Sequence, residues 1–477
     1  MRLFHRYLSY RKLALFAGEA LLLFACVLAG MTWPWSWPVE GWRQGSIASG
    51  VVVLLLIPVL SLSELYDWRI SADRRERNWK LFVACGAALI VLAIVVKLLQ
   101  IFSLDGLVQF PSAQDPGITT RLILVLLGTF LVLGIWRAFF HWTIGRWKFH
   151  ERLLVLGSGR SGGILAREIH DRRDTGFEVV GFVLGDGTNG GLPGPPAFSF
   201  PIVRGDTESL FDVARRLRVH RVIVAMEDRR KRLPTEQLLR CRMEGIPVEE
   251  WVSLYERITG KIAVESLHPS HLIFSEGFRK SRFVLATKRT LDLALSTAGL
   301  LVTAPIMILS ALAIRLDSRG PVFFRQKRIG KHGREFTLFK FRTMRADAER
   351  ETGPIWARVN DERITRFGGL LRKCRIDELP QLWNVLRGEM SFVGPRPERP
   401  FFVEELEGSV RLYRQRLTVK PGITGWAQVN YRYGSSLEDA VVKLQYDLYY
   451  IKNMSVIFDL MVLARTVGVV LLRKGAV

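Results

Sequence analysis

The order of apolar and polar positions along the chain predicts a helical membrane part before any soluble domain. Four long apolar stretches occupy the first third, at roughly 13–31, 46–63, 81–102 and 121–140. Each approaches the ~20 residues that a helix needs to cross a bilayer. The first stretch lacks a small-residue cleavage site followed by a secreted domain, so it does not read as a removed signal peptide. We therefore predict a four-helix transmembrane domain over residues 1–148.

Basic residues in the loops predict the orientation of this bundle. Lys and Arg cluster ahead of the first stretch, between the second and third, and after the fourth, whereas the other two loops have Arg43 as their only basic residue. Loops rich in Lys and Arg stay on the cytoplasmic side. Both ends of the bundle, and the chain that follows it, are therefore predicted to be cytoplasmic.

Residues 149–275 have the pattern of a Rossmann-like α/β domain. An apolar strand runs into Gly157, Gly159 and Gly162 and then into a helix, and a second strand ends shortly before Asp186. This context is typical of dinucleotide-binding folds, whose glycines let the backbone approach a pyrophosphate. Two interpretations stay open: a bound nucleotide or related regulator, and a scaffold that retains the fold without the ligand.

A fifth apolar run, at 290–314, is predicted to enter the membrane without crossing it. Lys288 precedes the run and Arg319 follows it, each with further basic neighbours, so both ends favour the cytoplasmic side. Pro305 removes one backbone hydrogen bond near the middle. We predict a re-entrant helix–break–helix over 288–316, with a full crossing and a proline kink as the alternative.

Composition and charge agree with a membrane protein. Hydrophobic residues make up 49% of the chain, and the net charge is +23. Because the basic residues flank apolar segments and do not form arms, anionic lipid headgroups explain the charge better than nucleic acid does. The four cysteines show neither metal-ligand nor disulfide spacing, and the eight histidines form no metal-ligand cluster. Residues 456–472 are apolar but contain Asp459 and Arg465, which predicts an interfacial helix.

An acidic pair marks the most informative segment of the chain. Asp377 and Glu378 stand ahead of a short apolar-periodic helix whose first turn accommodates Pro380, and Arg396 follows in a Gly-Pro-Arg-Pro turn. Carboxylates at the positive end of a helix dipole, near an arginine suited to phosphate, suggest a metal-assisted reaction at a phosphate. Simple helix capping is the alternative explanation of the pair.

Further motifs occur around this pair in a fixed order. They are Phe324-Arg325-Gln326, Lys340-Phe341-Arg342-Thr343-Met344, Pro421-Gly422-Ile423-Thr424-Gly425-Trp426-Ala427-Gln428-Val429-Asn430, and Asp447 ahead of Tyr449-Tyr450. Together they resemble the bacterial sugar transferases, also called polyisoprenyl-phosphate hexose-1-phosphate transferases or large monotopic phosphoglycosyl transferases. The resemblance covers roughly the last two-fifths of the chain and defines a catalytic domain over residues 280–477.

The resemblance implies a fold and an activity. The fold would be a membrane α-helical bundle plus a Rossmann-like α/β domain plus an α/β monotopic catalytic domain, with a re-entrant helix broken at Ala304 and Pro305. The activity would be transfer of a sugar 1-phosphate from a UDP-sugar to polyprenyl (undecaprenyl) phosphate, with release of UMP, at the start of exopolysaccharide or other surface-glycan synthesis. The location would be the bacterial inner (cytoplasmic) membrane, which the chain would pass several times.

The resemblance also assigns roles to the acidic pair. It implies that Asp377 is the nucleophile, forming a phospho-aspartyl intermediate, and that Glu378 has a functional role; the sequence alone does not separate the two. Joining two anions calls for charge neutralisation, so Mg²⁺ (or Mn²⁺) is expected, with Asp377, Glu378 and Asp447 as candidate ligands.

Five side chains are candidates for binding phosphate or substrate. Arg396 is the first choice because a guanidinium can bind phosphate in a bidentate way. Lys340 and Arg342 alternate with apolar residues on one strand, so they share a face that could point into the site. Arg325 has membrane-surface contact as an equal alternative. Gln428 lies in a turn suited to a base or ribose, where core packing of the neighbouring Trp426 is a comparable explanation.

Two other functions are weighed against the transferase. A membrane nucleotide-sugar dehydratase would have a similar front half but needs a Tyr-x-x-x-Lys pair, and no tyrosine in the chain has a lysine four residues later. A non-catalytic membrane scaffold or sensor would use only the glycine-loop domain. Membrane lipids are expected partners, nucleic acid is not, and a homodimer is left open.

Overall fold

The computed structural model consists of two compact units, Met1–Trp251 and Val252–Val477. The structure describes residues 2–3, 6–7, 10–31, single positions and pairs between 46 and 86, 118–146, 150–157, 159–172, 176–183, 202–203, 210–226, 233–264, 275–345, 363–431, 434 and 436–471.

The N-terminal unit begins with apolar helices. Its first elements are strands β1 (Arg2–Leu3) and β2 (Arg6–Tyr7) and helices α1 (Tyr10–Met31) and α2 (Ile118–Arg146). Helices α1 and α2 pack through Leu23 and Leu133, both 1% exposed. Beside this contact, Glu19 forms an ion pair with Arg137 (Oε1–Nε 2.6 Å), and neither side chain is exposed. A buried charge is costly unless it is paired, so this ion pair joins the two helices.

The same unit continues as a parallel α/β sheet. Its elements are β3 (Glu151–Leu156), α3 (Arg160–Asp171), β4 (Phe177–Val183), β5 (Ile202–Val203), α4 (Leu210–Arg216), β6 (Arg221–Val224), α5 (Thr235–Met243) and β7 (Val248–Glu250). The strands lie in the order β5-β4-β3-β6-β7, and every neighbouring pair is parallel. This is the strand order of a doubly wound α/β fold, which reverses direction beside β3. The sequence pattern therefore predicts the parallel sheet correctly.

The glycine loop lies at the end of β3. Gly157 has φ +107°, and a Cβ there would lie 3.0 Å from the Ala225 backbone; a Cβ on Gly162 would lie 2.9 Å from the Gly157 carbonyl oxygen. Gly159 precedes α3 in an extended conformation. Packing of the loop against β6 and α3 thus accounts for Gly157 and Gly162 without a ligand. Asp186 lies outside the described residues.

The C-terminal unit is a mixed α/β assembly around one long helix. Its elements are α6 (Trp251–Thr259, which begins at the last residue of the N-terminal unit), α7 (Arg282–Asp317), β8 (Phe323–Ile329), β9 (Glu335–Phe341), α8 (Arg366–Lys373), α9 (Gln381–Arg387), β10 (Ser391–Val393), α10 (Pro400–Ser409), β11 (Gly422–Thr424), α11 (Trp426–Asn430), α12 (Leu437–Asn453) and α13 (Val456–Leu471). Strands β8 and β9 form an antiparallel hairpin that turns at Lys331–Gly333, and β10 pairs with β11 in parallel.

Helix α7 corrects the predicted break at Ala304 and Pro305. It runs as one helix of 36 residues through Ala304 and Pro305, so the predicted break between two helices is wrong at the level of secondary structure. The loss of one N–H at Pro305 does not end the helix, because the turns on either side keep their own bonds.

The burial pattern along α7 shows which parts rest on the protein. Buried positions lie near both ends: Lys288, Asp292 and Ser296 in the first half, Ser310 and Ile314 in the second. Between them, Leu301, Val302, Ile308 and Leu309 are 62–77% exposed. Met307 and Ala311 pack against the buried cluster around Ile314, so one side of α7 contacts the C-terminal unit while the opposite side of its apolar middle is exposed.

A cluster of buried charges, the Lys288 cluster, fastens the start of α7. Its members are Lys288, Asp292, Tyr450 and Asp459. The Lys288 ammonium donates to Asp459 Oδ2 (2.5 Å), to the Tyr450 hydroxyl (3.1 Å) and to the Val393 carbonyl (3.0 Å). Asp292 accepts from the Ser391 hydroxyl and the Phe392 N–H. Asp459 thus ties α13 to α7 and β10 through a buried charge.

Residues 252–264 pack onto this unit, although the sequence assigns them to the α/β domain. The Trp426 indole N–H donates to the Gly260 carbonyl (2.9 Å), the Ile262 N–H donates to the Gln445 carbonyl (3.0 Å), and Lys452 pairs with Glu256 (2.8 Å). Trp426 is only 1% exposed. The core-packing interpretation of Trp426 therefore holds.

One helix among the described residues, α7, is long and apolar enough to cross a membrane. Shorter apolar helices cover Ala14–Ala29 and Gly128–Phe140. The predicted spans at 46–63 and 81–102 lie almost wholly outside the described residues. The described part of the chain therefore does not by itself support a multi-pass arrangement.

Candidate active site

The site is built where helix α9 lies against strand β9. Asn384, which is fully buried, accepts from the Phe339 N–H (3.1 Å) and donates to the Thr337 carbonyl (2.7 Å). At the far end of α9, the Arg289 guanidinium donates to the Val385 and Leu386 carbonyls (2.7 and 2.8 Å). A cation is favourable at a helix C-terminus. These bonds fix the register between the strand that carries Lys340 and the helix that follows the acidic pair.

The acidic pair lies in a tight turn immediately before α9. Residues Ile376–Glu378 form a single 3₁₀ turn, entered through Arg375 at φ +58°. A non-glycine residue in the left-handed region is uncommon and is retained where surrounding structure fixes it. Pro380, which has no capping side chain, occupies the N-cap of α9. The capping explanation of the pair is therefore not what the structure shows.

Glu378 is surrounded by cations. Its Oε1 accepts from Lys340 Nζ (3.0 Å) and Arg396 Nη2 (3.1 Å), and its Oε2 lies 3.6 Å from Arg375 Nη1. Burial disfavours the charged form, but Lys340, Arg396 and Arg375 outweigh it and hold the pKa of Glu378 well below its usual range. Glu378 is therefore an ionised carboxylate whose oxygens are already occupied.

Asp377 contrasts with its neighbour. It is 8% exposed, and its carboxylate makes no hydrogen bond or ion pair with any residue that the structure describes. Burial raises the pKa of Asp377, while the charge of Lys340 opposes that rise. The adjacent charge of Glu378 raises it further. A buried carboxylate near cations but not bound to them is free to react with, or to ligate, an incoming group.

The segment Gly394–Glu398, called here the proline turn, carries Arg396 to this pair. Strands β10 and β11 approach so closely that a Cβ on Gly394 would lie 2.4 Å from the Lys420 carbonyl oxygen, and one on Gly422 would lie 2.2 Å from the Gly394 nitrogen. Only glycine allows that approach. The glycines of both motifs thus hold two backbones together at the base of the turn.

The remaining predicted residues lie outside this cluster. Arg342, expected to face the site, is 5% exposed and donates to the Ser318 and Arg319 carbonyls (2.7 and 2.9 Å) beyond the end of α7. Its guanidinium is thereby committed to the chain after a helix terminus, where a cation is favoured. Arg325 is exposed on β8, with its guanidinium 5.7 Å from the Phe339 ring centre.

Gln428 and Asp447 also have protein partners. Gln428 donates to the Ile423 carbonyl (3.2 Å). Asp447, 1% exposed, pairs with Arg416 (2.9 Å), and burial raises its pKa to about 6 against the opposing charge of Arg416. Among the described residues, no three His, Cys, Asp or Glu side chains are grouped to hold a metal. The structure therefore does not group Asp447 with Asp377 and Glu378 as ligands of one metal.

Several residues that shape the site were not predicted from the sequence. Arg375 precedes the pair directly, so proximity alone could have indicated it. Asn384, Arg289 and Arg416 act on backbone carbonyls or amides of distant segments, and no motif spacing reveals such partners.

Comparison with known proteins agrees with this geometry. Residues 283–473 match the family of bacterial sugar transferases, and residues 61–233 match the CoA-binding domain family. UDP-glucose:undecaprenyl-phosphate glucose-1-phosphate transferase from Escherichia coli is 35% identical over 340 residues, which cover 69% of each chain. The chain belongs to the bacterial sugar transferase family. The match to the family contains the whole acidic-pair cluster and the proline turn.

Two further family members differ in their named sugars. UDP-N-acetylgalactosamine-undecaprenyl-phosphate N-acetylgalactosaminephosphotransferase from Aeromonas hydrophila is 38% identical over 239 residues, half of this chain and 56% of that one. UDP-glucose:undecaprenyl-phosphate glucose-1-phosphate transferase from Xanthomonas campestris pv. campestris is 44% identical over 202 residues, 42% of each chain. The chain thus spans about half the length of these two relatives, and family membership leaves the sugar open.

Proposed function

We propose that the protein transfers a sugar 1-phosphate from a UDP-sugar to undecaprenyl phosphate, with Asp377 as the nucleophile. The observation that carries the proposal is that the two carboxylates of the acidic pair differ in their partners. Glu378 neutralises Lys340, Arg396 and Arg375 and holds them in place, whereas the buried Asp377 beside it has no partner among the described residues. Activated carboxylates serve as nucleophiles in phosphoryl transfer.

In the first step, an Asp377 oxygen attacks the phosphorus that carries the sugar. The bond between that phosphorus and the bridging oxygen breaks, and UMP leaves with the electron pair. The product is a phospho-aspartyl enzyme that holds the sugar 1-phosphate. Lys340 and Arg396, near Glu378, offset the negative charge that gathers on the phosphate oxygens.

In the second step, a phosphate oxygen of undecaprenyl phosphate attacks the same phosphorus. The bond to Asp377 breaks, which regenerates the carboxylate, and the lipid-linked sugar diphosphate leaves. Two displacements at one phosphorus let the soluble and the lipid substrate react in turn. Such a product would begin an exopolysaccharide or another surface glycan.

A magnesium ion fits one member of the acidic pair. Mg²⁺ is usually held by one or two carboxylates together with substrate phosphates and water. Asp377 has a carboxylate free for such a role, whereas both Glu378 oxygens face cations. Asp377, together with the substrate's phosphates, would hold the ion, which would supply charge neutralisation at the reacting phosphate.

Helix α7 supports placement of the site at one membrane surface. Both ends of the helix pack on the C-terminal unit, and its exposed middle is apolar. A full crossing would separate its two ends by the bilayer, whereas one unit holds both. We therefore propose that α7, kinked at Pro305 without interruption of the helix, enters one leaflet and that the unit lies at the cytoplasmic face, with the N-terminal helices crossing several times.

A product assay tests the proposal. Membranes containing the protein are incubated with single UDP-sugars and undecaprenyl phosphate, and UMP release and lipid-linked sugar are measured. We expect both products with at least one sugar. A dehydrated free nucleotide-sugar would instead indicate a dehydratase, and no product would indicate a scaffold.

Trapping of the intermediate tests the role of Asp377. With a UDP-sugar labelled in the sugar-bearing phosphate and no lipid acceptor, wild type should retain label on the protein. Asp377→Asn should retain none. Glu335→Gln, which alters an exposed carboxylate on β9 that pairs with Lys327 of β8, is the matched control and should label like wild type.

A further inference from the structure

Arg416 is a buried cation that the mechanism above does not use. It is 7% exposed, and its guanidinium donates to the Arg396 carbonyl (3.0 Å) and to the Tyr413 hydroxyl, and it pairs with Asp447 (2.9 Å). Asp447, on α12, is in turn fully enclosed. The pair of Arg416 and Asp447 therefore joins α12 to the backbone of Arg396, and the Arg396 side chain contacts Glu378.

The proline turn is held through its carbonyl groups. Pro395 and Pro397 have no N–H, so the turn can donate few backbone hydrogen bonds. Its four carbonyls from Pro395 to Glu398 each accept one instead; the donors are the Gly422 N–H, Arg416, Arg328 and the Ile329 N–H. The two side-chain donors are thus arginines, and only Arg416 binds the carbonyl of Arg396 itself.

We infer that Arg416 and Asp447 are positioning residues, which hold the Arg396 backbone so that its guanidinium reaches Glu378. Asp447 orients Arg416, Arg416 fixes the Arg396 carbonyl, and Arg396 Nη2 then lies 3.1 Å from Glu378 Oε1. This inference rests on the proposed function. It gives Asp447 a role that differs from metal binding, because its carboxylate is paired with Arg416.

A double-mutant cycle tests whether the pair acts through Arg396. Asp447→Asn keeps the side-chain shape and removes the charge that orients Arg416. We expect kcat/KM for UMP release to fall about 10- to 100-fold, as for residues that orient a site from behind. In an Arg396→Ala background, the same change should cause less than a threefold further loss, because the residue it positions is gone.

A second ion pair on α12 supplies the matched control. Lys452, on the same helix as Asp447, pairs with Glu256 of α6 (2.8 Å). This ion pair has no hydrogen bond to the proline turn among the described residues. Glu256→Gln should change thermal stability, and any small loss of kcat/KM should be the same with and without Arg396. Non-additivity confined to Asp447 supports positioning; full additivity of Asp447→Asn with Arg396→Ala overturns it.

Metal dependence separates positioning from ligation. Asp447→Asn should leave the Mg²⁺ concentration for half-maximal rate unchanged. A large rise in that concentration, with the rate restored at saturating Mg²⁺, would overturn the inference and make Asp447 a metal-binding residue. If Asp447→Asn does not fold, Arg416→Lys is used in the same cycle, because lysine keeps the charge beside Asp447 but lacks the second donor arm.

The proposed function and this inference fail in different ways. Wild-type protein that releases no UMP with any UDP-sugar contradicts the proposed function. The four proteins of the cycle are then compared for their affinity for UDP, where non-additivity of Asp447→Asn with Arg396→Ala again supports positioning and additivity overturns it.

Discussion

Two clusters of buried charge in the C-terminal unit, the Lys288 cluster and the acidic-pair cluster, differ in one respect. In the Lys288 cluster, Asp459 is bonded to Lys288 and Tyr450, and Asp292 to Ser391 and the Phe392 N–H. In the acidic-pair cluster, Glu378 is bonded to its cations while Asp377 has no partner among the described residues. Carboxylates whose oxygens already have hydrogen-bond partners stabilise the fold, because a reaction would break those bonds. A carboxylate without such partners, beside cations that are held in place, retains the capacity to react.

The largest expected effect separates reactivity from stability. Asp377→Asn should lower turnover on the order of 10⁴-fold or more, as loss of a nucleophile does, and should leave the free energy of unfolding nearly unchanged. Asp459→Asn should instead lower the free energy of unfolding and leave turnover nearly unchanged. Rates of UMP release and thermal unfolding of both variants make the comparison; wild-type turnover in Asp377→Asn would contradict the assignment.

Removal of divalent metal should have the next largest effect. It should abolish the activity that depends on the acidic-pair cluster and should not change the stability that depends on the Lys288 cluster. Chelation should abolish UMP release, because two phosphate groups must approach a carboxylate. Mg²⁺ or Mn²⁺ should restore it. Thermal stability should not change, since the Lys288 cluster is balanced by its own charges. Full activity after exhaustive chelation would refute the need for a metal.

Breaking the Lys288 cluster should act on stability. Lys288→Met leaves Asp459 buried without its cation, a change that typically costs about 3–5 kcal/mol. The free energy of unfolding in detergent measures it. The double variant Lys288→Met with Asp459→Leu should recover part of the loss, because it removes the uncompensated charge. Equal loss in both would show that packing, not charge, is responsible.

The smallest effect concerns stability at acid pH. Glu378 and Asp377 should contribute to the pH dependence of the free energy of unfolding with opposite signs. Glu378 has a lowered pKa in the folded state, so its stabilisation is present above its unfolded value near 4.5 and is lost as pH falls through the folded value. Asp377 has a raised pKa, so its contribution is present below its unfolded value and is lost as pH rises through the folded one.

Unfolding between pH 3 and pH 7 tests these signs. Glu378→Gln should flatten the decline in stability at acid pH, and Asp377→Asn should steepen it. Each change is limited to about 1.4 kcal/mol per pH unit for one proton. Slopes that shift in the same direction for both variants would contradict the opposite pKa shifts.

Local pattern predicts the parts of the molecule that depend on local chemistry. The strand, glycine turn and helix at Glu151–Asp171 follow from apolar runs and glycines, and the turn at Lys331–Gly333 follows from its residues. Motif spacing likewise indicates Lys340, Glu378 and Arg396, which the structure brings together.

Other features depend on backbone partners far away in the chain. The sequence predicts Lys340 and Arg342 on one face of a strand, but β9 ends at Phe341, and Arg342 donates to the Ser318 and Arg319 carbonyls just beyond α7. The role of Arg416 depends on a carbonyl 20 residues away. A carbonyl is present in every residue, so no side-chain pattern marks the one that an arginine will choose. The continuity of α7 through Pro305 is likewise not visible in the local pattern, because the turns on either side of the proline keep their own hydrogen bonds.

The length of α7 and its contacts with the C-terminal unit bear on how the helix would respond to bilayer thickness. A helix of 36 residues is about 54 Å long, well beyond the ~30 Å hydrocarbon core that a spanning helix must match. A spanning helix answers changes in acyl-chain length by tilting or by deforming the bilayer. In the one-leaflet arrangement proposed above, α7 would meet only the near leaflet. Its position would then depend on how tightly that leaflet is packed, and little on the distance to the opposite face.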